Sequence, residues 1–251
     1  MSLLQVRNIS KTFGGVQALR GVNFSLDEGQ LLALIGPNGA GKSTCFNVLN
    51  GQLRPDSGNI ILAGRELVGL NARQIWQHGV GRTFQVAAVY GSMTVVENVQ
   101  LALLSKGRGL LPVRRSTSHY FRSEALNLLE GVGMHIQADR PASILAYGDV
   151  KRLEIAMALA NKPKLLLMDE PTAGMAPKER HELMQLTCNL VKQRGMSVLF
   201  TEHSMDVVFS YADRLIVLSG GTIIAAGDAQ SIRNDPAVQE AYFGTGKTFE
   251  I

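Results

Sequence analysis

The chain has 251 residues, of which 45% are hydrophobic and 18% charged, with a formal net charge of +4. That balance can bury a sizeable core and excludes a largely disordered chain. The basic residues are scattered rather than striped, which fits a polyanionic ligand or an acidic surface and predicts no nucleic-acid partner. Cys45 and Cys188 are far apart and lack metal-ligand spacing, so they read as free thiols in a reducing compartment. The opening MSLLQVRNIS has no signal-peptide pattern, and no apolar run approaches the roughly eighteen residues of a membrane span. The expectation is a soluble, cytoplasmic protein.

In chain order, LLQVRNI, VQALRGVNFSL, LLALI and NIILAG read as short strands separated by Gly and Pro-Asp turns. They predict an antiparallel sheet laid beside a nucleotide core. From about Val86 to Asn161 the apolar spacing turns helical, in TVVENVQLALL and SEALNLLEGV. The Arg114-Arg115 cluster near Lys106 and Arg108 reads as a solvated linker in this block. LLLM at 165–168 is a strand, Pro177–Arg194 a long helix, and SVLFT, a helix near Met205–Ala212, RLIVLS and TIIAAG complete the alternation. The expected fold class is α/β, a mostly parallel sheet with an antiparallel β subdomain and an inserted helical one. Residues 1–85 and 161–251 form the core lobe of a single 1–251 domain, and 86–160 the helical subdomain.

GPNGAGKST follows the strand LLALI and precedes the helix-like CFNVLNGQL, which is GxxxxGKS in its required context. A turn that merely caps a helix explains neither flank. The expected ATP-binding set is Gly36, Asn38, Gly39, Ala40, Gly41, Lys42, Ser43 and Thr44, whose backbone N–H groups curl toward a phosphate at a helix N-terminus. Lys42 would bridge the β- and γ-phosphates, and the Ser43 hydroxyl would hold Mg²⁺. Cys45 reads as small helix filler.

Asp169 and Glu170 end the strand LLLM. The first is placed for Mg²⁺; the second is placed to polarise a water aimed at the γ-phosphate, a base role worth about 10²–10⁴ in rate. His203, after SVLFT, sits where ligands bind in open α/β sheets, and Gln85 in VGRTFQ ends another short strand within reach of metal or water. His78, His119, His135 and His181 keep a structural reading. LAYGD at 145–149 is a polar turn entering VKRLEIAMALA, with Asp149 placed to cap the helix.

The order of GPNGAGKST, Gln85, LAYGD, LLLMDE and His203 resembles the ATP-binding subunits of ABC transporters over nearly the whole chain. The resemblance implies a P-loop ABC ATPase core that binds ATP and Mg²⁺. It implies Phe13 stacking on adenine, and catalytic Glu170, His203 and Gln85, with Ser43, Gln85 and Asp169 at the metal. It also implies a signature turn, Ala146, Tyr147, Gly148 and Asp149, facing ATP held by the other protomer. LAYGD departs from the usual LSGGQ. Ala146 replaces a Ser hydroxyl, a hydrogen bond to a charged group worth about 1.5–3 kcal/mol, Tyr147 replaces a Gly, and Asp149 brings negative charge. A weakened signature is expected. The AGMAPKE loop, the YG dipeptide and the tail IRNDPAVQEAYFG are similar to branched-chain amino acid importers and their relatives for urea, amides and other small polar solutes. That subgroup implies a second, different ATPase subunit, two transmembrane permease subunits, a periplasmic or extracellular solute-binding protein, and a peripheral place on the cytoplasmic face of the membrane. A soluble ABC ATPase acting on ribosomes or DNA, and a lipid or lipopolysaccharide exporter ATPase, remain the rival readings.

Overall fold

The computed structural model describes residues 2–83, 89–105 and 121–243. Ser2–Phe13 (β1) and Val16–Asp27 (β2) form a long antiparallel hairpin whose one face is apolar and buried. Leu31–Ile35 (β3) then leaves this sheet, and the GKST stretch runs straight into Lys42–Leu49 (α1). The helix stops at Leu49, earlier than CFNVLNGQL suggests, because Asn50 and Gly51 turn the chain out. Ser57–Leu62 (β4) and Arg65–Glu66 (β5) return to the first sheet, giving the order β2-β1-β4-β5.

Ala72–Gln77 (α2) starts at a capping box in which Asn71 and Gln74 satisfy each other's backbone N–H. Val80–Thr83 (β6) follows. The helical block comprises Val95–Ser105 (α3), Arg122–Gly131 (α4) and Tyr147–Leu159 (α5), which pack on one another. Thr94 and Glu97 form a second box at the start of α3, Thr94 Oγ1 accepting from the Glu97 N–H and Glu97 Oε2 from the Thr94 N–H. The Lys106–Arg115 cluster and His119 lie outside the described residues.

Leu165–Asp169 (β7), Pro177–Arg194 (α6), Ser197–Thr201 (β8), Met205–Tyr211 (α7), Arg214–Ser219 (β9) and Thr222–Gly227 (β10) rebuild the core. Pro at the first position opens α6, where its missing N–H costs nothing. Ala229–Asn234 (α8) and Pro236–Phe243 (α9) close the described chain. The second sheet runs β10-β9-β3-β8-β7-β6, parallel throughout except for β10.

β3, β7 and β8 are buried at every position, as strands covered on both faces must be. Their side chains alternate between two cores. Leu31, Ala33 and Ile35 join Leu166, Met168, Val198, Phe200 and the helices α3 to α7 on one side. Leu32 and Leu34 join Leu165, Leu167, Leu199, α1 and the antiparallel sheet on the other. The parallel sheet is thus the wall between the cores, and its carboxyl edge collects the residues described next.

Candidate nucleotide site

The loop after β3 is shaped by two glycines that no other residue replaces. A Cβ on Gly36, at φ +151°, would lie 2.0 Å from the Leu218 carbonyl oxygen, and one on Gly41, at φ +108°, 2.4 Å from that of Ala18. The second contact lodges the loop beside the β1–β2 hairpin. Asn38, Gly39 and Ser43 face solvent, Thr44 is half-buried and Ala40 is buried. Lys42 is 8% exposed and bends back over the loop, its Nζ donating to the carbonyls of Gly36 at 2.6 Å and Pro37 at 3.1 Å. Burial lowers its pKa, and the charges of Glu170 and Asp169 push it back up. Behind it Cys45 is fully buried, and burial pushes its thiol up to about 12, which agrees with filler rather than a reactive group.

Asp169 and Thr201 are register partners at the ends of β7 and β8. The buried Thr201 hydroxyl donates to Asp169 Oδ1 at 2.8 Å and accepts from the Glu170 N–H at 3.0 Å. One hydroxyl therefore fixes both acids. Glu170 is in the left-handed region at φ +48°, a conformation that costs a side-chain-bearing residue about 1–2 kcal/mol. Its N–H is also held by the Thr201 carbonyl at 3.1 Å, and the turn aims its carboxylate at the second strand end, where Oε1 lies 3.0 Å from His203 Nε2.

Glu202, 3% exposed, supports both neighbours. Its Oε1 accepts from the Thr172 N–H and hydroxyl, each at 2.7 Å, and its Oε2 from the His203 N–H at 3.1 Å. Arg180 repeats the link from α6, donating to the Met175 carbonyl and to Ser204 Oγ, both at 2.8 Å. On the other flank Arg82 in β6 reaches Asp169 Oδ2 at 3.2 Å. Sequence reading passed over Thr201, Glu202, Arg180 and Arg82. A carboxylate directly after the strand SVLFT was the available signal for Glu202. Gln85 lies outside the described residues.

Phe13 ends β1 opposite Val16, 44% exposed, with the Lys11 ammonium 5.5 Å from its ring centre. At the far end of the helical block, LAYGD differs from its expected form. Ala146, not Asp149, is the N-cap of α5 and supplies no side-chain cap, while Asp149 lies inside the first turn. Its carboxylate Oδ2 instead accepts from Gln137 Nε2 at 3.0 Å. Ala146 and Tyr147 are exposed, Tyr147 under the Lys151 ammonium at 5.5 Å from its ring centre. Gly148 faces Met175 and Glu179, so the turn packs beside the loop that follows Glu170.

A cavity of about 260 Å³ is lined in part from α2, β6, α3 and α5, with Ala72, Ile75, Trp76 and Met157 among its apolar lining and Arg82 and Glu154 among its charged lining.

Parallel strands that bring a phosphate loop and two acids to one edge define a P-loop nucleotide-binding ATPase. Residues 19–173 match the family described as ABC transporter, and residues 222–248 that described as branched-chain amino acid ATP-binding cassette transporter. The chain belongs to the ATP-binding cassettes of ABC transporters. It is 42% identical over 249 residues to the high-affinity branched-chain amino acid transport ATP-binding protein LivG of Escherichia coli, covering 96% of this chain and 98% of the relative. The BraF protein of Pseudomonas aeruginosa, named for the same transport, is 39% identical over the same shares. Among solved structures, the ADP conformation of the cassette MJ1267 superposes with a TM-score of 0.88 at 33% identity, covering 97% of this chain and 99% of that one. A nucleotide-free ATP-binding cassette from an ABC transporter gives 0.86 at 33% identity, over 97% and 100%. The α/β P-loop architecture expected from the sequence is the one found, and the protein is an ATPase whose hydrolysis is coupled to transport.

Proposed function

We propose that this chain is the ATP-hydrolysing subunit of a branched-chain amino acid importer, paired with a second, different ATPase subunit beneath two membrane permease subunits. The observation that supports this most is the meeting of Lys42, Asp169, Glu170 and His203 at one sheet edge, in a chain similar over 96% of its length to LivG and BraF. A solute-binding protein outside the membrane delivers the amino acid to the permease. No helix among the described residues is long and apolar enough to cross a membrane.

In this reading Phe13 stacks on adenine, and the loop from Gly36 to Thr44 wraps the phosphates with its N–H groups. Lys42 exchanges two backbone carbonyls for phosphate oxygens, a gain because its charge is poorly solvated where it lies. Ser43 and Asp169 offer a hydroxyl and a carboxylate, the oxygen donors a hard cation takes with phosphates completing its shell, and Gln85 adds an amide oxygen. Among the described residues no cluster of three or more His, Cys, Asp or Glu offers a rival metal site. Mg²⁺ bound there supplies neutralisation of phosphate charge. Glu170 accepts the proton of the attacking water and His203 holds that carboxylate in line.

The turn at Ala146–Asp149 faces the other subunit's nucleotide, and the cavity lined by Arg82 and Glu154 seats a cytoplasmic helix of the permease. Apolar walls with a cation and a carboxylate suit a short amphipathic helix tip. Reconstitution tests the whole. The chain, its partner ATPase and the permease in vesicles should take up leucine, isoleucine or valine when ATP and the binding protein are supplied on opposite sides. ATP turnover unchanged by any branched-chain amino acid, with stimulation by urea or an amide, would reject the solute assignment.

A further inference from the structure

Arg82 touches both the strand-end acid and the same cavity. Its Nη2 is 3.2 Å from Asp169 Oδ2, while Nη1 donates to Asn47 Oδ1 at 2.7 Å and Gln52 Oε1 at 3.0 Å. The guanidinium carbon lies 5.9 Å from the centre of the Phe46 ring in α1. Arg82 and Gln52 both line the cavity, together with the apolar Trp76 and Met157. The arginine fork is what allows this: a planar group with donors on two sides binds two places at once, which a lysine ammonium does not.

We propose that Arg82 is a positioning residue of the ATPase reaction, a resident counter-cation on Asp169 that a helix seated in the cavity draws away. With the cavity empty, the guanidinium neutralises the carboxylate that the metal-bound nucleotide requires. A permease helix presenting a carboxylate or a terminal carbonyl competes for the fork, and Asp169 is released. Occupation of the cavity and readiness of the phosphate site are then one event. The inference rests on reading the cavity as the permease seat and Asp169 as the metal acid. The guanidinium and a metal ion compete for the same carboxylate oxygen, so the resident arginine raises the Mg²⁺ needed to load ATP.

The test is the half-saturating Mg²⁺ for binding of a fluorescent ATP analogue, measured on the full chain alone and on the assembled transporter. Assembly should lower it in the wild type. Arg82→Gln should lower it in the chain alone and erase the difference between alone and assembled. Arg82→Lys, which keeps the charge without the fork, should fall between. Gln52→Ala cuts only the cavity-side anchor, so it should shrink the effect of assembly while thermal unfolding stays near wild type. Equal half-saturating values for the wild-type chain alone and assembled overturn the proposal. So does a folded Arg82→Gln chain with an unchanged Mg²⁺ requirement. Failure of the chain to assemble with a permease would reject the seat instead, and the Arg82→Gln measurement on the chain alone still decides the counter-cation.

Discussion

The carboxyl edge of the parallel sheet and the LAYGD turn are both read as ATP-facing, yet they are built differently. At the sheet edge every polar group of interest has a partner in the same chain. Asp169 has Thr201 and Arg82, Glu170 has Thr201 and His203, and the His203 N–H has Glu202. At the turn Ala146 supplies no cap, Tyr147 is 47% exposed, and the Gln137–Asp149 bond points its one new charge sideways. Groups that do chemistry within one protomer are preorganised by that protomer. In the proposed reading the turn instead completes a site on another subunit.

The largest effect should come from Glu170→Gln, which removes only the proton acceptor. We expect turnover of the assembled transporter to fall at least about 10²-fold with ATP affinity nearly intact. Near-normal turnover would remove the acid from the mechanism and leave the sheet edge a structural network. Next is Lys42→Ala, expected to abolish tight Mg-ATP binding in titration calorimetry, since the phosphates lose the loop's cation. An unchanged dissociation constant would make the loop structural. Glu202→Ala sharpens the comparison without touching ATP. It strips acceptors from two backbone N–H groups and a hydroxyl, and should lower stability by about 1–3 kcal/mol while slowing turnover more than it weakens binding. Glu202→Gln should restore part of both, because one amide oxygen still accepts. The smallest change should follow Ala146→Ser combined with Asp149→Gln, a few-fold at most in turnover. A gain of tenfold or more would mean that the turn, not the sheet edge, limits the rate.

Legibility in the sequence followed the range of the interaction. LLALI, LLLM and the apolar centre of SVLFT announced buried parallel strands because strands covered on both faces are mostly apolar, and α6 was bounded correctly by its Pro and its apolar spacing. The phosphate loop was legible because nine consecutive residues carry it. Thr201 and Arg82 were not, because their meaning comes from strand register: Asp169 opposite Thr201, and Thr83 opposite Met168, pair residues far apart in the chain. Asp149 was misread as a cap because α5 starts earlier than its apolar run: Ala146 is the N-cap, so Asp149 falls inside the first turn, where its carboxylate meets Gln137. The α2 helix was missed although Asn71 and Gln74 spell a capping box, since its six residues are too few for apolar periodicity.

The placement of β3 between β8 and β9 has a consequence for how the protein is made. A ribosome delivers residues 31–35 well before the strand's two hydrogen-bonding neighbours, 197–201 and 214–219. Until those neighbours emerge, an entirely apolar strand waits with both edges open, the condition that invites pairing with the wrong chain. The phosphate loop that it carries has no fixed floor until then, because Gly36 packs on the Leu218 carbonyl. ATP can act as a folding ligand only after residues 214–219 have emerged, when loop closure over such distances makes that step slow.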